Sequence, residues 1–146
     1  MRYTFSRAVL ACAVVAATGI AAAQTLSTPA EVEAFATSLG SCTAAKAATP
    51  HPLMPSFVIE HAIDGEKEGA CAYSQTMPGK MKMLCALSAD GRKSLAADLR
   101  TLATGGPMKG STSAPGPAWT KECEIEMPDG KRIPVTSGRG GKQSGD

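Results

Sequence analysis

The sequence predicts an α+β fold: a small antiparallel sheet, disulfide-stapled, with two helices packed on one of its faces. Three observations predict it. Two segments repeat apolar residues at helical spacing between capping residues, several short runs alternate at period two between turn residues, and four cysteines remain once the N-terminal segment is set aside. The expected order is α-β-β-β-α-β-β, a three-stranded meander followed by a second helix and a C-terminal hairpin.

The first 23 residues read as a cleaved export signal. Arg2 and Arg7 supply a positive start, Ala8 to Ile20 is apolar and Ala-rich, and Ala21-Ala22-Ala23 offers the small residues a signal peptidase needs, with cleavage after Ala23. Val9-Leu10-Ala11-Cys12 loosely resembles a lipidation motif. Leu10 sits where a smaller residue is usual, however, and processing there would leave almost no apolar run. No later stretch approaches the roughly 20 apolar residues that span a bilayer. A bacterial periplasmic or secreted location is expected. The absence of asparagine, and therefore of glycosylation sequons, agrees with it.

Charge then excludes two partner classes. The formal net charge of +2 resides in Arg2 and Arg7; without them, 13 bases face 13 acids. A neutral chain with scattered Lys and Arg has no electrostatic claim on nucleic acid or anionic membrane. The expected partner is another exported protein.

Residues 24–135 should form one domain. Thr28-Pro29-Ala30-Glu31 reads as a capping box with proline at the first helical position, Val32, Phe35, Ala36 and Leu39 make one apolar stripe, and Gly40 is placed to end the helix. From Ala44 to Pro55 the prolines at 50, 52 and 55 predict an extended connector. Strands are expected over Phe57 to Ile63, Ala70 to Thr76 and Lys80 to Leu87, separated by turns at 64–69 and at Met77-Pro78-Gly79. Ser88 or Asp90 caps a second helix carrying Leu95, Leu99 and Leu102, ended by Gly105-Gly106. A Gly/Pro/Ser/Thr-rich loop at 105–118 follows. Trp119 to Met127 alternates as a strand with odd positions inward apart from Lys121, Pro128-Asp129-Gly130 turns, and Lys131 to Val135 returns. The tail 136–146 has the composition of a disordered segment. No internal repeat is visible.

With aromatic residues at 4% of the chain, the core needs covalent help. Cys42, Cys71, Cys85 and Cys123 permit three pairings. A three-residue turn at 77–79 sets Cys71 opposite Cys85, which predicts Cys71–Cys85 and, by elimination, Cys42–Cys123. Cys42–Cys71 with Cys85–Cys123 is the competing framework. The same register keeps Met81, Met83, Cys85 and Leu87 on one face, joined by Phe57, Ile59, His61 and Ile63 if Ile63 pairs with Cys71.

Chemistry is sparse. His51 and His61 are the neutral-pH bases, and neither stands at motif spacing from a nucleophile. His51 reads as an exposed loop residue and His61 as a sheet residue bonded to a carbonyl. Glu66 and Glu68 read as turn charges, while Glu122, Glu124 and Glu126 read as the wet face of a strand. There is no phosphate-binding glycine loop, nucleophile elbow or H-E-x-x-H. No enzyme activity and no cofactor are expected. What remains is binding: a scaffold whose long connectors present His51, Leu53, Met54 and Met108 to a partner. Two alternatives share the frame. One is a Cu(I) site drawing on Met77, Met81, Met83 and His61, because thioethers and imidazole suit that ion. The other is an inhibitor of a hydrolase.

Overall fold

The computed structural model describes residues 25–106 and 116–135. The expected leader (1–23), Met108 with the middle of the 105–118 loop, and the 136–146 tail lie outside the described residues. Helix α1 (Pro29–Ser41) precedes a six-stranded antiparallel sheet whose spatial order is the chain order: β1 (Ala45–Pro50), β2 (Val58–Lys67), β3 (Ala70–Met77), β4 (Met81–Leu87), β5 (Cys123–Glu126) and β6 (Arg132–Pro134). Helix α2 (Ala89–Ala103) lies between β4 and β5 in the chain. The α+β architecture is the expected one, with one strand more.

That strand, β1, is built from the first half of the supposed connector. Residues 45–49 contain no proline, and Pro50 is the last residue of a strand at the sheet's edge, where a missing N–H is tolerated. Ala45 to Pro50 pair with Ile63 to Val58. The outer edge of β1 is partly covered: Ser27 N–H donates to the Ala48 carbonyl at 2.8 Å, and Ala48 N–H donates to Ser27 Oγ at 3.0 Å.

Both helices start where their caps require. The Thr28 hydroxyl accepts from Glu31 N–H, and the Glu31 carboxylate accepts from Thr28 N–H at 2.6 Å. The helix runs on through Gly40, and Cys42 takes the left-handed conformation (φ 55°) expected of a terminating glycine. In α2, Ser88 Oγ accepts from Gly91 N–H at 3.1 Å. Val32, Phe35, Ala36 and Leu39 of α1 meet Leu95, Ala96 and Leu99 of α2 and the inner face of the sheet in a single core.

Side-chain parity on β3 and β4 is as expected, but the register is two residues off. The turn is Pro78-Gly79-Lys80, with positive φ at Gly79 and Lys80, so Met77 pairs with Met81, Tyr73 with Cys85 and Cys71 with Leu87. Likewise Ile63 faces Tyr73, because β2 bulges between Ile63 and Gly65 and continues to Lys67. A two-residue shift leaves every face unchanged and moves every pair. Cys71 and Cys85 therefore do not stand opposite each other, and the expected Cys71–Cys85 and Cys42–Cys123 bridges do not form. The disulfides are Cys42–Cys71, tying the end of α1 to β3, and Cys85–Cys123, joining directly paired residues of β4 and β5.

The first strand of the predicted hairpin, expected over Trp119 to Met127, is confined to Cys123–Glu126. Ala118–Glu122 forms a 3-10 turn, whose Trp119 is buried and donates its indole N–H to Asp98 Oδ2 of α2 at 2.8 Å. Glu122, expected on a wet strand face, turns to the start of α2. It accepts from Ser88 N–H (2.8 Å) and Ser88 Oγ (2.6 Å). A carboxylate there also faces the positive end of the helix dipole.

Candidate functional site

His61 is not a surface base. It is 2% exposed on the inner face of β2, between Thr49 of β1 and Tyr73 of β3. The Tyr73 hydroxyl donates to Gln75 Oε1 at 2.9 Å, so its oxygen accepts from His61 Nδ1–H at 2.7 Å. That leaves Nε2 to accept from the Thr49 hydroxyl at 2.9 Å. A neutral imidazole satisfies every member of this chain, and a second ring proton would end the role of Nε2 as acceptor and force the Thr49 hydroxyl to turn its own proton elsewhere. Burial lowers the His61 pKa to about 4 and raises that of Tyr73. The expected carbonyl partner is replaced by two side chains. At neutral pH the chain is a structural polar network with both imidazole nitrogens engaged.

His51, expected as a plain exposed residue, organises the β1–β2 loop. Its Nδ1 accepts from the backbone N–H groups of Leu53 (3.2 Å) and Met54 (3.1 Å), and the His51 backbone N–H donates to the Phe57 carbonyl at 2.9 Å. The imidazole also stands edge-on to Phe57, with ring centroids 6.1 Å apart. The loop is thereby held in one shape while its apolar side chains face water. Leu53 is 86% exposed and Met54 39%.

Together with Leu26 at 45%, these are the large apolar side chains exposed among the described residues, and all three lie at one end of the sheet. Leu26 borders an apolar cleft of about 310 Å³ floored by Val32 and Thr49 and walled by Pro50 and Leu102. Leu53 and Met54 follow the last residue of β1. Strand pairing brings the end of β3, the start of β4 and the end of β5 to the same end, and with them half-buried Met77, Met81 and Met127. The opposite end carries Asp64, Glu66, Lys67 and Glu68, the cap of α2 and the C-terminus of α1. The methionine-rich end also carries exposed Lys80, Asp129 and Lys131 on its turns, so its exposed apolar side chains are set among charges.

The copper ligand set expected from sequence is only partly assembled. Met77 and Met81 are directly paired across β3 and β4. Met83 is 4% exposed and belongs to the core. His61 is separated from Met83 by Gln75, and both its nitrogens are engaged. Among the described residues, no three His, Cys, Asp or Glu side chains are grouped to hold a metal. Leu26, Phe57 and Met127 were not anticipated as members of the apolar end. The inward parity of Met127 was the signal that pointed to it.

The sheet face away from the helices also has a shape that pattern alone did not suggest. Ala48, Ala62 and Ser74 floor a shallow hollow of about 470 Å³ bordered by Lys46, Glu60 and Lys82. Small side chains on three neighbouring strands make it, Ala62 paired with Ser74 and Ala48 diagonal to Ala62. Among the described residues no helix is long and apolar enough to cross a membrane.

Comparison with known proteins returned no match: no family model, no curated protein and no solved structure is similar to this chain.

Proposed function

We propose that this chain is an exported binding module without catalytic turnover, and that another exported protein docks on the apolar end of its sheet. One observation carries the reading. The exposed large apolar side chains of the described residues, Leu26, Leu53 and Met54, gather at one end instead of scattering, and the loop bearing two of them is held by His51. Isolated exposed leucines need no explanation, but a clustered set on an ordered loop favours a partner, because the ordering cost is met before binding. Export is supported by the Ala-rich N-terminal segment and by the disulfides, which belong to oxidising compartments. The absence of turnover is supported by the engagement of both His61 nitrogens within the core.

A photo-crosslinking amino acid at position 53, with position 68 at the opposite end as control, tests this in the native host. A discrete adduct with one exported protein from position 53, absent from position 68 and lost from a Met54→Asp background, is the expected result. Equal labelling from both ends, or none from either, would overturn the reading.

A further inference from the structure

The three half-buried methionines of the apolar end stand in one row. Met77 pairs with Met81, and continuing the Lys82–Glu126 pairing by one residue places Met127 beside Met81 on its other flank. Parity puts all three on one face. Met81 and Met83 alternate with Lys82, and Met127 follows Cys123 and Ile125 on the inward set of β5. Strands β3 and β4 contribute one thioether each and the residue that follows β5 a third, with adjacent backbones roughly 4.8 Å apart and the outer two about 10 Å apart. An ion above Met81 has to be reached across only one strand spacing from either side, within the span of a flexible side chain with three rotatable bonds.

Packing accounts for Met83, which is 4% exposed. Met77 is partly buried and packs against the core, whereas Met81, whose methyl lies over Gly79, and Met127 are half-buried at the rim of the sheet. The four cysteines of the described residues are consumed in disulfides, so thioethers are the soft ligands left to an incoming metal. Three neutral thioethers favour a soft monovalent ion and offer little to Zn²⁺, Ca²⁺ or Mg²⁺.

We propose that Met77, Met81 and Met127 form a three-thioether site for Cu(I). The site shares the end of the sheet to which partner docking was assigned but does not depend on that reading, which rests on Leu26, Leu53 and Met54 and not on the three thioethers. It replaces His61 and Met83 of the ligand set expected from sequence with Met127. Binding involves no redox step: Cu(I) enters as Cu(I) and displaces no proton.

The test uses the mature, disulfide-intact protein, titrated anaerobically with Cu(I) against a chromogenic Cu(I) chelator, with methionine ε-methyl NMR as the second readout. One Cu(I) per chain should be withheld from the chelator, with affinity flat between pH 5 and 8 because thioethers do not titrate there. The methyls of Met77, Met81 and Met127 should shift while those of Met54 and Met83 stay in place. Met81→Leu and Met127→Leu should each weaken binding at least tenfold without altering the remaining methyl spectrum. Failure to compete with the chelator sinks the site. So does affinity unchanged in the Met81→Leu/Met127→Leu double variant, affinity that falls with protonation of a histidine, or shifts confined to Met54 or Met83. Each of these outcomes leaves the crosslinking result from position 53 untouched.

Discussion

A second proton on His61 would place a charge in the core and reverse the Thr49 hydrogen bond, and this ties the residue to acid stability. The folded pKa is about 4, whereas an exposed histidine in the unfolded chain titrates near 6.5. Between those values the unfolded state binds a proton that the folded state refuses. Stability therefore falls as pH drops from about 6.5 to about 4 and this contribution is level outside that window; the full loss is about 3 kcal/mol. Urea unfolding of the wild type and a His61→Gln variant across pH 7 to 4 checks it. The variant starts less stable at pH 7 because Thr49 and Tyr73 lose a shaped partner, and its curve should be flatter than the wild type's over that range. Parallel curves would remove the assignment. From the sequence alone, His61 was legible as a sheet residue facing inward. Its partners were not, because Thr49 lies on a strand that the prolines concealed and Tyr73 is reached only through the true register.

Helix α2 shows how an element can depend on a residue distant in sequence. Its N-terminus is closed by Ser88 and again by Glu122, 34 residues later, whose carboxylate lies against the Cα of Gly91. Gly→Ala inside a helix normally gains up to about 1 kcal/mol. Here the added methyl would collide with the Glu122 carboxylate and displace it from Ser88. Gly91→Ala should therefore lower stability by about 1 kcal/mol, and the same substitution in a Glu122→Ala background should raise it. A double-mutant cycle by thermal or chemical unfolding reads the sign change. The capping serine, the capping box of α1 and the apolar stripes of both helices are all local, which is why they could be read from adjacent residues. Glu122 could not, because its alternation with Glu124 and Glu126 mimics a strand, while Trp119 is drawn to Asp98 and winds the segment into a 3-10 turn.

At the scale of the molecule, one disulfide ties the helix layer to the sheet and the other joins two neighbouring strands, around a core poor in aromatic residues. Cys42–Cys71 spans 29 residues and Cys85–Cys123 spans 38. In the chain-entropy model such loops are worth roughly 3.5 and 4 kcal/mol, a large share of the 5–15 kcal/mol typical of a domain. Non-reducing peptide mapping should recover these two bridges. Removing either pair as Cys→Ala should lower the unfolding free energy by roughly 3–4 kcal/mol in urea. A loss well under 1 kcal/mol from both would show that the core suffices without them.

What the chain determines by itself is whatever depends on near neighbours: helix caps and stripes, the inward or outward parity of each strand residue, the number of cysteines available to pair, and hence the α+β class. Only the tertiary structure decided the partners. Moving the β3–β4 turn by one position at each side costs no change of face, so hydrophobic pattern cannot distinguish the two registers, yet it exchanges one disulfide framework for the other. The gathering of Leu26, Leu53, Met54, Met77, Met81 and Met127 is of the same kind. They come from five separate segments, and only the antiparallel order of the strands brings those segments to one end.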